Sequence, residues 1–201
     1  MALDIAKLEE EIKEEQSNID KQPETMNELY ILLQQLGKAW REENAYIVNE
    51  GQKNERTVTP QPNVSTVAKV LKKHCHFTFI GEGAISDISK LYVYHLDLGY
   101  YVSSDDIFRK LLLKYDNRLT SHRFFNELIA YIRTETKIQP PLSDYRYIPV
   151  ANGVYNIQTK ELEEFTPKFI ITSKVKTAYN PYAKKPILGG WFDFDKWLAT
   201  L

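Results

Sequence analysis

Between residues 77 and 172 the apolar residues arrive in strand-length or short helix-length bursts, strands and helices alternating without long βαβ crossovers. Phe77 and Phe79 alternate with Thr78 and Ile80 in a strand that reaches Gly81. Residues 91–96 form a second strand, with Val93 and His95 on one face and Tyr92 and Tyr94 on the other. Asp97-Leu-Gly99 turns it back into Tyr100-Tyr-Val102, which makes a hairpin. Ser103 or Ser104 then caps a helix whose first turn holds Asp105 and Asp106 at the positive end of its dipole. That helix buries Ile107, Phe108, Leu111 and Leu112, and a second, from about residue 120, offers Phe124, Phe125, Leu128, Ile129 and Ile132. After Pro140-Pro141 come short strands near 147–150, 154–157, 162–165 and 169–172. The pattern predicts an α+β fold of short antiparallel strands and helices, not a doubly wound sheet.

The N-terminal third reads differently. Residues 1–22 carry seven acids and three lysines, with Ile5, Leu8, Ile12 and Ile19 as a narrow apolar stripe. Such a short helix needs a partner. Thr25-Met-Asn-Glu28 has capping-box spacing, and Met26, Leu29, Tyr30, Leu33, Leu36 and Trp40 line one face of the helix that follows. Residues 1–48 therefore read as a helical hairpin turning near 20–23. Residues 49–63, polar and holding Gly51, Pro60 and Pro62, read as a linker or exposed loop. A mixed domain spans 64–190, opening with a short helix that carries Val67, Val70 and Leu71. In 191–201 a stripe of Phe192, Phe194, Trp197, Leu198 and Leu201 begins, the expected connection to a further domain.

Composition removes several function classes. The 201 residues hold 26 cations and 27 anions, so the whole-chain field does not gather nucleic acid. Cys75 is the sole cysteine, which excludes a disulfide scaffold. No uncharged apolar run approaches the ~20 residues that cross a bilayer, and the acidic start is not a signal peptide, so a cytoplasmic, membrane-free chain is expected.

Four motifs bear on chemistry. No G-x-x-x-x-G-K-[ST] occurs, so no P-loop nucleotide site is expected, and Gly81-Glu-Gly83 reads as a tight turn rather than a dinucleotide loop. His74-Cys75-His76 invites a metal, but consecutive strand residues face opposite ways and structural zinc needs four ligands. The passage reads as a helix end entering a strand, and no metal is expected. Asp193-Phe-Asp195 matches the alternate carboxylates that hold Mg²⁺ for nucleotidyl transfer, yet no third acid lies nearby and acids suit a first helical turn. Residues 165–190 hold Lys168, Lys174, Lys176, Lys184 and Lys185 and no acid, with Phe165, Phe169, Tyr179 and Tyr182 among them. Two readings of that run stand: lysines tracking phosphates beside rings that stack on bases, or a strand edge blunted by lysine.

A family resemblance adds to these readings. Asn152-Gly153-Val-Tyr-Asn-Ile-Gln-Thr-Lys160-Glu-Leu162, then Phe165-Thr-Pro167, Thr172, Tyr179-Asn-Pro181-Tyr182-Ala and Pro186, resembles a run in phage and plasmid primase–helicases. The hairpin at 91–102 and its following helix pair are similar to the same family, whose domain also occurs in the poxvirus primase–helicase. The resemblance covers about residues 64–201. Lys160 departs from it, standing where glycine is commoner.

In relatives this domain precedes a superfamily 3 helicase, an AAA+ ring motor with a P-loop. The resemblance implies a DNA-replication protein of a phage or mobile element, in a bacterial cytoplasm. It implies structural roles for Asn152, Gly153, Pro167, Tyr179 and Pro181. Single-stranded or forked DNA and ring self-association become the expected partners, while ATP and Mg²⁺ belong to a motor domain outside this chain. The function expected is a non-catalytic collar that guides DNA through Lys168, Lys174, Lys176, Tyr179, Tyr182, Lys184 and Lys185. The alternatives are a protein-interaction platform that does not touch DNA, or a primase-like nucleotidyl transferase using Asp193 and Asp195.

Overall fold

The computed structural model describes residues 22–81 and 90–183. Helix α1, Met26–Glu43, starts where Thr25 accepts a hydrogen bond from the Glu28 N–H. The reciprocal half of the predicted box is shifted by one residue, because the Glu28 carboxylate accepts from the N–H of Glu24. Helix α2 spans Val64–His74, α3 Asp105–Tyr115 and α4 His122–Glu135. The partner helix expected at 1–20 lies outside the described residues.

Strands β3 (Phe77–Ile80), β4 (Leu91–His95), β5 (Tyr100–Val102) and β6 (Ile138–Gln139) form one sheet in the order β5-β4-β3-β6. The β4–β5 hairpin pairs Val93 with Val102 and Tyr94 with Tyr101, and only β3–β6 is parallel. Helix α1 packs on α3, and α2 on α4. Their apolar stripes (Met26, Leu29 and Leu33 of α1, Val67 and Leu71 of α2, Leu111 and Leu128 beyond) join Phe79 and Val93 in one core. Burial of these side chains is the main stabilising term, roughly 1.5–3 kcal/mol for each large one. At Gly37 the backbones of α1 and α3 touch: a Cβ there would lie 1.7 Å from the Tyr115 carbonyl oxygen.

A second sheet, β7 (Tyr147–Val150), β8 (Gly153–Asn156) and β9 (Glu161–Glu163), is an antiparallel meander in that order. The α+β expectation holds. Three local features differ from the expectation. Inside 49–63, Arg56–Val58 pairs as β2 with β1, Tyr46–Val48. This exposed hairpin turns at Asn49 (φ 59°) and Gly51 (φ 74°), and its strands, three residues each, are too short for a period-two reading. Residues 169–172 form no strand. Ile170 and Ile171 are buried, but isolated backbone bonds rather than a ladder hold them: Tyr101 N–H to the Ile171 carbonyl, Leu142 N–H to the Ile170 carbonyl, and Ile171 N–H to the Phe169 carbonyl. Ser104 occupies the N-cap of α3 without a side-chain cap bond.

The chain after β2 is anchored by charge. Asp116, at the end of α3 and 1% exposed, receives the Arg118 guanidinium at 2.7 Å, and Arg41 of α1 approaches at 3.9 Å. Arg118 also donates to the carbonyls of Thr59 and Pro60, both at 3.1 Å. Burial alone would raise the Asp116 pKa, but the Arg118 hydrogen bonds and the charges of Arg118 and Arg41 outweigh it, and the carboxyl stays below its ordinary range.

Candidate nucleic-acid interface

Two of the family-motif residues, Asn152 and Tyr179, meet beside the meander. Asn152 sits in the two-residue turn between β7 and β8, and its side-chain amide pairs with the backbone of Tyr179 both ways. Tyr179 N–H donates to Oδ1 at 2.8 Å, and Nδ2 donates to the Tyr179 carbonyl at 3.0 Å. The Tyr179 ring stacks on Tyr155 of β8, centroids 4.3 Å apart. Backbone bonds from Val175 to Pro149 and from Ala151 to Thr177 extend the seam.

In the Asn-Gly pair the positive φ belongs to the glycine: Gly153 has φ 157°, whereas Asn152 is not among the positive-φ residues. Gly153 also makes room: a Cβ would lie 2.5 Å from the Glu163 carbonyl oxygen on β9. Lys160, at φ 62°, keeps the left-handed turn that glycine commonly makes there. Its N–H donates to the Asn156 carbonyl, while Asn156 Oδ1 accepts from Gln158 and Thr159.

The lysines of the acid-free run separate into different roles. Lys174 is half-buried, its ammonium donating to the carbonyls of Leu98 at 2.8 Å and Ala151 at 3.3 Å while lying 4.5 Å from the Phe165 ring. Phe165 in turn packs directly over Gly99. Lys174 thus clasps the β4–β5 turn to the β7–β8 turn. Lys168 and Lys176 are exposed, as are Tyr182, at 87%, and Pro181. Pro167 accepts a hydrogen bond from the Tyr101 hydroxyl at 2.8 Å, which holds the chain beside Lys168 against β5. Lys184, Lys185, Pro186, Asp193 and Asp195 lie outside the described residues, as does Gly83.

His74-Cys75-His76 is the helix-to-strand passage the sequence suggests. His74 closes α2, Cys75 caps it, and Phe77 opens β3. Burial pushes the Cys75 thiol up to about 12, so it stays protonated. His74 Nδ1 finds no hydrogen-bond partner among the described residues, and burial, then the charge of Lys73, lowers its pKa. No group of three His, Cys, Asp or Glu among the described residues is placed to hold a metal ion, and no described helix is long and apolar enough to cross a membrane.

Sequence reasoning passed over one feature. An open groove of about 750 Å³ lies where the C-terminal ends of α2 and α4 meet the start of β3 and residues 166–168. Its lysines come from three separate segments, a gathering that no local pattern reveals.

The α+β core with its appended meander, and the Asn152–Tyr179 bridge between two motifs of one run, are the features to set beside known families. A family model described as D5 N terminal like matches residues 20–201. The chain belongs to this D5 N-terminal-like family, the domain that precedes the superfamily 3 helicase in phage and plasmid primase–helicases. The match begins well before residue 64, where the motif run placed it, and takes in α1, whose apolar face is part of the common core. No individual curated protein matches the chain.

Proposed function

We propose that this chain is a non-catalytic collar and DNA-guiding module of a replicative primase–helicase, holding a single strand for an ATP- and Mg²⁺-dependent motor domain. In that role it would self-associate as part of a ring. The observation that carries the reading is the run 165–183, which holds Lys168, Lys174 and Lys176 and no acid, and which leaves Lys168, Lys176 and Tyr182 open to solvent. Cations that track phosphates beside an exposed ring are what sequence-tolerant strand binding requires. Lys174 serves this surface indirectly, by fixing the segment through its two carbonyl bonds.

A second reading has its own support. Tyr46 and Ile47 on the β1–β2 hairpin, and Tyr145 beside the meander, are more than half exposed, which suits a protein-interaction platform. Transferase chemistry at Asp193 and Asp195 gains no support from the described residues. Fluorescence anisotropy of the 201-residue chain with labelled oligo-dT, across a salt series, decides between the two readings. Guiding DNA predicts weak binding with a log–log salt slope of about −1.4 to −2, two to three phosphate contacts. The platform predicts no binding even at low salt.

A further inference from the structure

One concave place in this near-neutral molecule has a net positive lining. The groove is walled by Lys72 of α2, Lys137 between α4 and β6, and Lys168 of the acid-free run. Glu135 is the acid lining it, so three cations face one anion, a net of two positive charges. That acid is already engaged, since Glu135 accepts a hydrogen bond from the Lys72 ammonium. Lys137 and Lys168 are exposed, and their ammonium groups meet no hydrogen-bonding or ionic partner among the described residues.

The floor is aromatic. Phe77 opens β3, and its inner face lies against Phe108, centroids 6.0 Å apart. His76 is exposed beside it, its ring edge-on to Tyr94 at 6.5 Å. Partial desolvation lowers the His76 pKa, so the ring is uncharged at neutral pH and presents a flat, neutral face. The walls are fixed, not loose. Thr136 Oγ1 donates to the Ile132 carbonyl at 2.6 Å, which caps α4 at the rim, and the Tyr101–Pro167 hydrogen bond holds the opposite wall.

We propose that this groove is the seat of a single nucleic-acid strand, with Lys137 and Lys168 on consecutive phosphates and a base laid on His76. The inference rests on the DNA-guiding reading above and places the strand in a groove rather than along the whole lysine run. The pairing of Lys72 with Glu135 sets the strength of the site: it withholds one cation and keeps the grip weak enough for a strand to move through. Groups that touch phosphate alone change salt dependence, whereas a stacking ring changes affinity without releasing cations.

The test titrates labelled oligo-dT into the 201-residue chain and four variants, each on exposed or rim residues, with thermal melts to show intact folding. Lys137→Ala/Lys168→Ala should flatten the salt slope by about 1.4 and weaken binding about 25-fold at 0.1 M salt, about fivefold per lost contact. His76→Ala should weaken binding about fivefold or more with the slope unchanged. Glu135→Gln, which frees Lys72, should tighten binding several-fold, a gain that misfolding cannot imitate. Lys53→Ala, on the exposed turn between β1 and β2 and not part of the groove lining, should bind as the parent does. If the parent binds oligo-dT but the groove variants match it, the groove inference falls while the DNA-guiding reading stands. If the parent does not bind at low salt, both fall. Displacement of the strand by inorganic phosphate at constant ionic strength would mark a simple anion site and overturn the inference.

Discussion

In the helix-backed sheet, Leu33, Val67, Leu111 and Leu128 are sealed from water, whereas in the meander Ile148, Ile157 and Leu162 stay more than a third exposed. Four helices cover β3–β6, and the free energy there comes from apolar burial. No described helix covers β7–β9. That region is held by side chains reaching backbone: Asn152 to Tyr179, Lys174 to Leu98 and Ala151, Tyr101 to Pro167. A burial-held region opens only as a whole, because every side chain shares the same interior. A clasp-held region opens locally, one polar contact at a time. A strand-guiding surface built on the second region can adjust without unfolding the first.

The largest expected effect breaks the first region. Gly37→Ala puts a methyl group onto the Tyr115 carbonyl oxygen, backbone against backbone, so no rotamer change relieves it. Helices α1 and α3 must part, uncovering Leu33 and Tyr115, at a cost of about 3 kcal/mol. Urea unfolding should show a lower midpoint with the cooperative slope retained. A loss under about 1 kcal/mol would mean that α1 slides freely on α3 and is not part of one cooperative core.

The same division explains what was legible beforehand. Helices α1 to α4 and the β4–β5 hairpin are visible in sequence because apolar periodicity is the force that holds them. The hairpin even has its register set by Asp97-Leu-Gly99, with Gly99 at φ 73°. Residues 169–172 look like a strand because Ile170 and Ile171 are buried, but burial in a wrapped segment imitates burial in a ladder. Of the candidate interface, the acid-free run and Tyr182 were readable, whereas the clasp role of Lys174 was not. Its partners Leu98 and Ala151 are backbone carbonyls far off in sequence, and carbonyls leave no trace in residue type. The groove lysines escape for the same reason: Lys72, Lys137 and Lys168 are brought together only by packing.

Breaking the second region should cost less and stay local. Asn152→Ala removes both bonds to the Tyr179 backbone, but that site is exposed and water replaces them. The expected loss is about 1 kcal/mol. Hydrogen exchange should quicken at the amides of Tyr179, Ala151 and Val175, which lie along the seam, and leave the amides of α2 and α4 protected as before. Equal loss of protection in both regions would show that the meander and the core form one cooperative unit.

The smallest effect has the opposite sign and tests whether the meander carries correctable strain. Lys160 holds φ 62°, where the Cβ of an L-residue crowds the following carbonyl oxygen at a cost of roughly 1–2 kcal/mol. Lys160→Gly removes that crowding but adds backbone freedom to the unfolded chain, about 0.5–1 kcal/mol in the other direction. The net expectation is a gain of about 0.5 kcal/mol. The Asn156 carbonyl keeps its bond, because Lys160 supplies only its backbone N–H to it. Lys160→Ala separates conformation from charge: it removes the ammonium and keeps the Cβ, so its stability should stay near that of the parent. Lys160→Asn should fall between, since asparagine tolerates the left-handed region better than lysine. Chemical denaturation followed by the Tyr155–Tyr179 ring signals reads the meander directly. A gain shared equally by the Gly and Ala variants would assign it to the lost charge rather than to the backbone, and the turn would then be unstrained with lysine in the place of glycine.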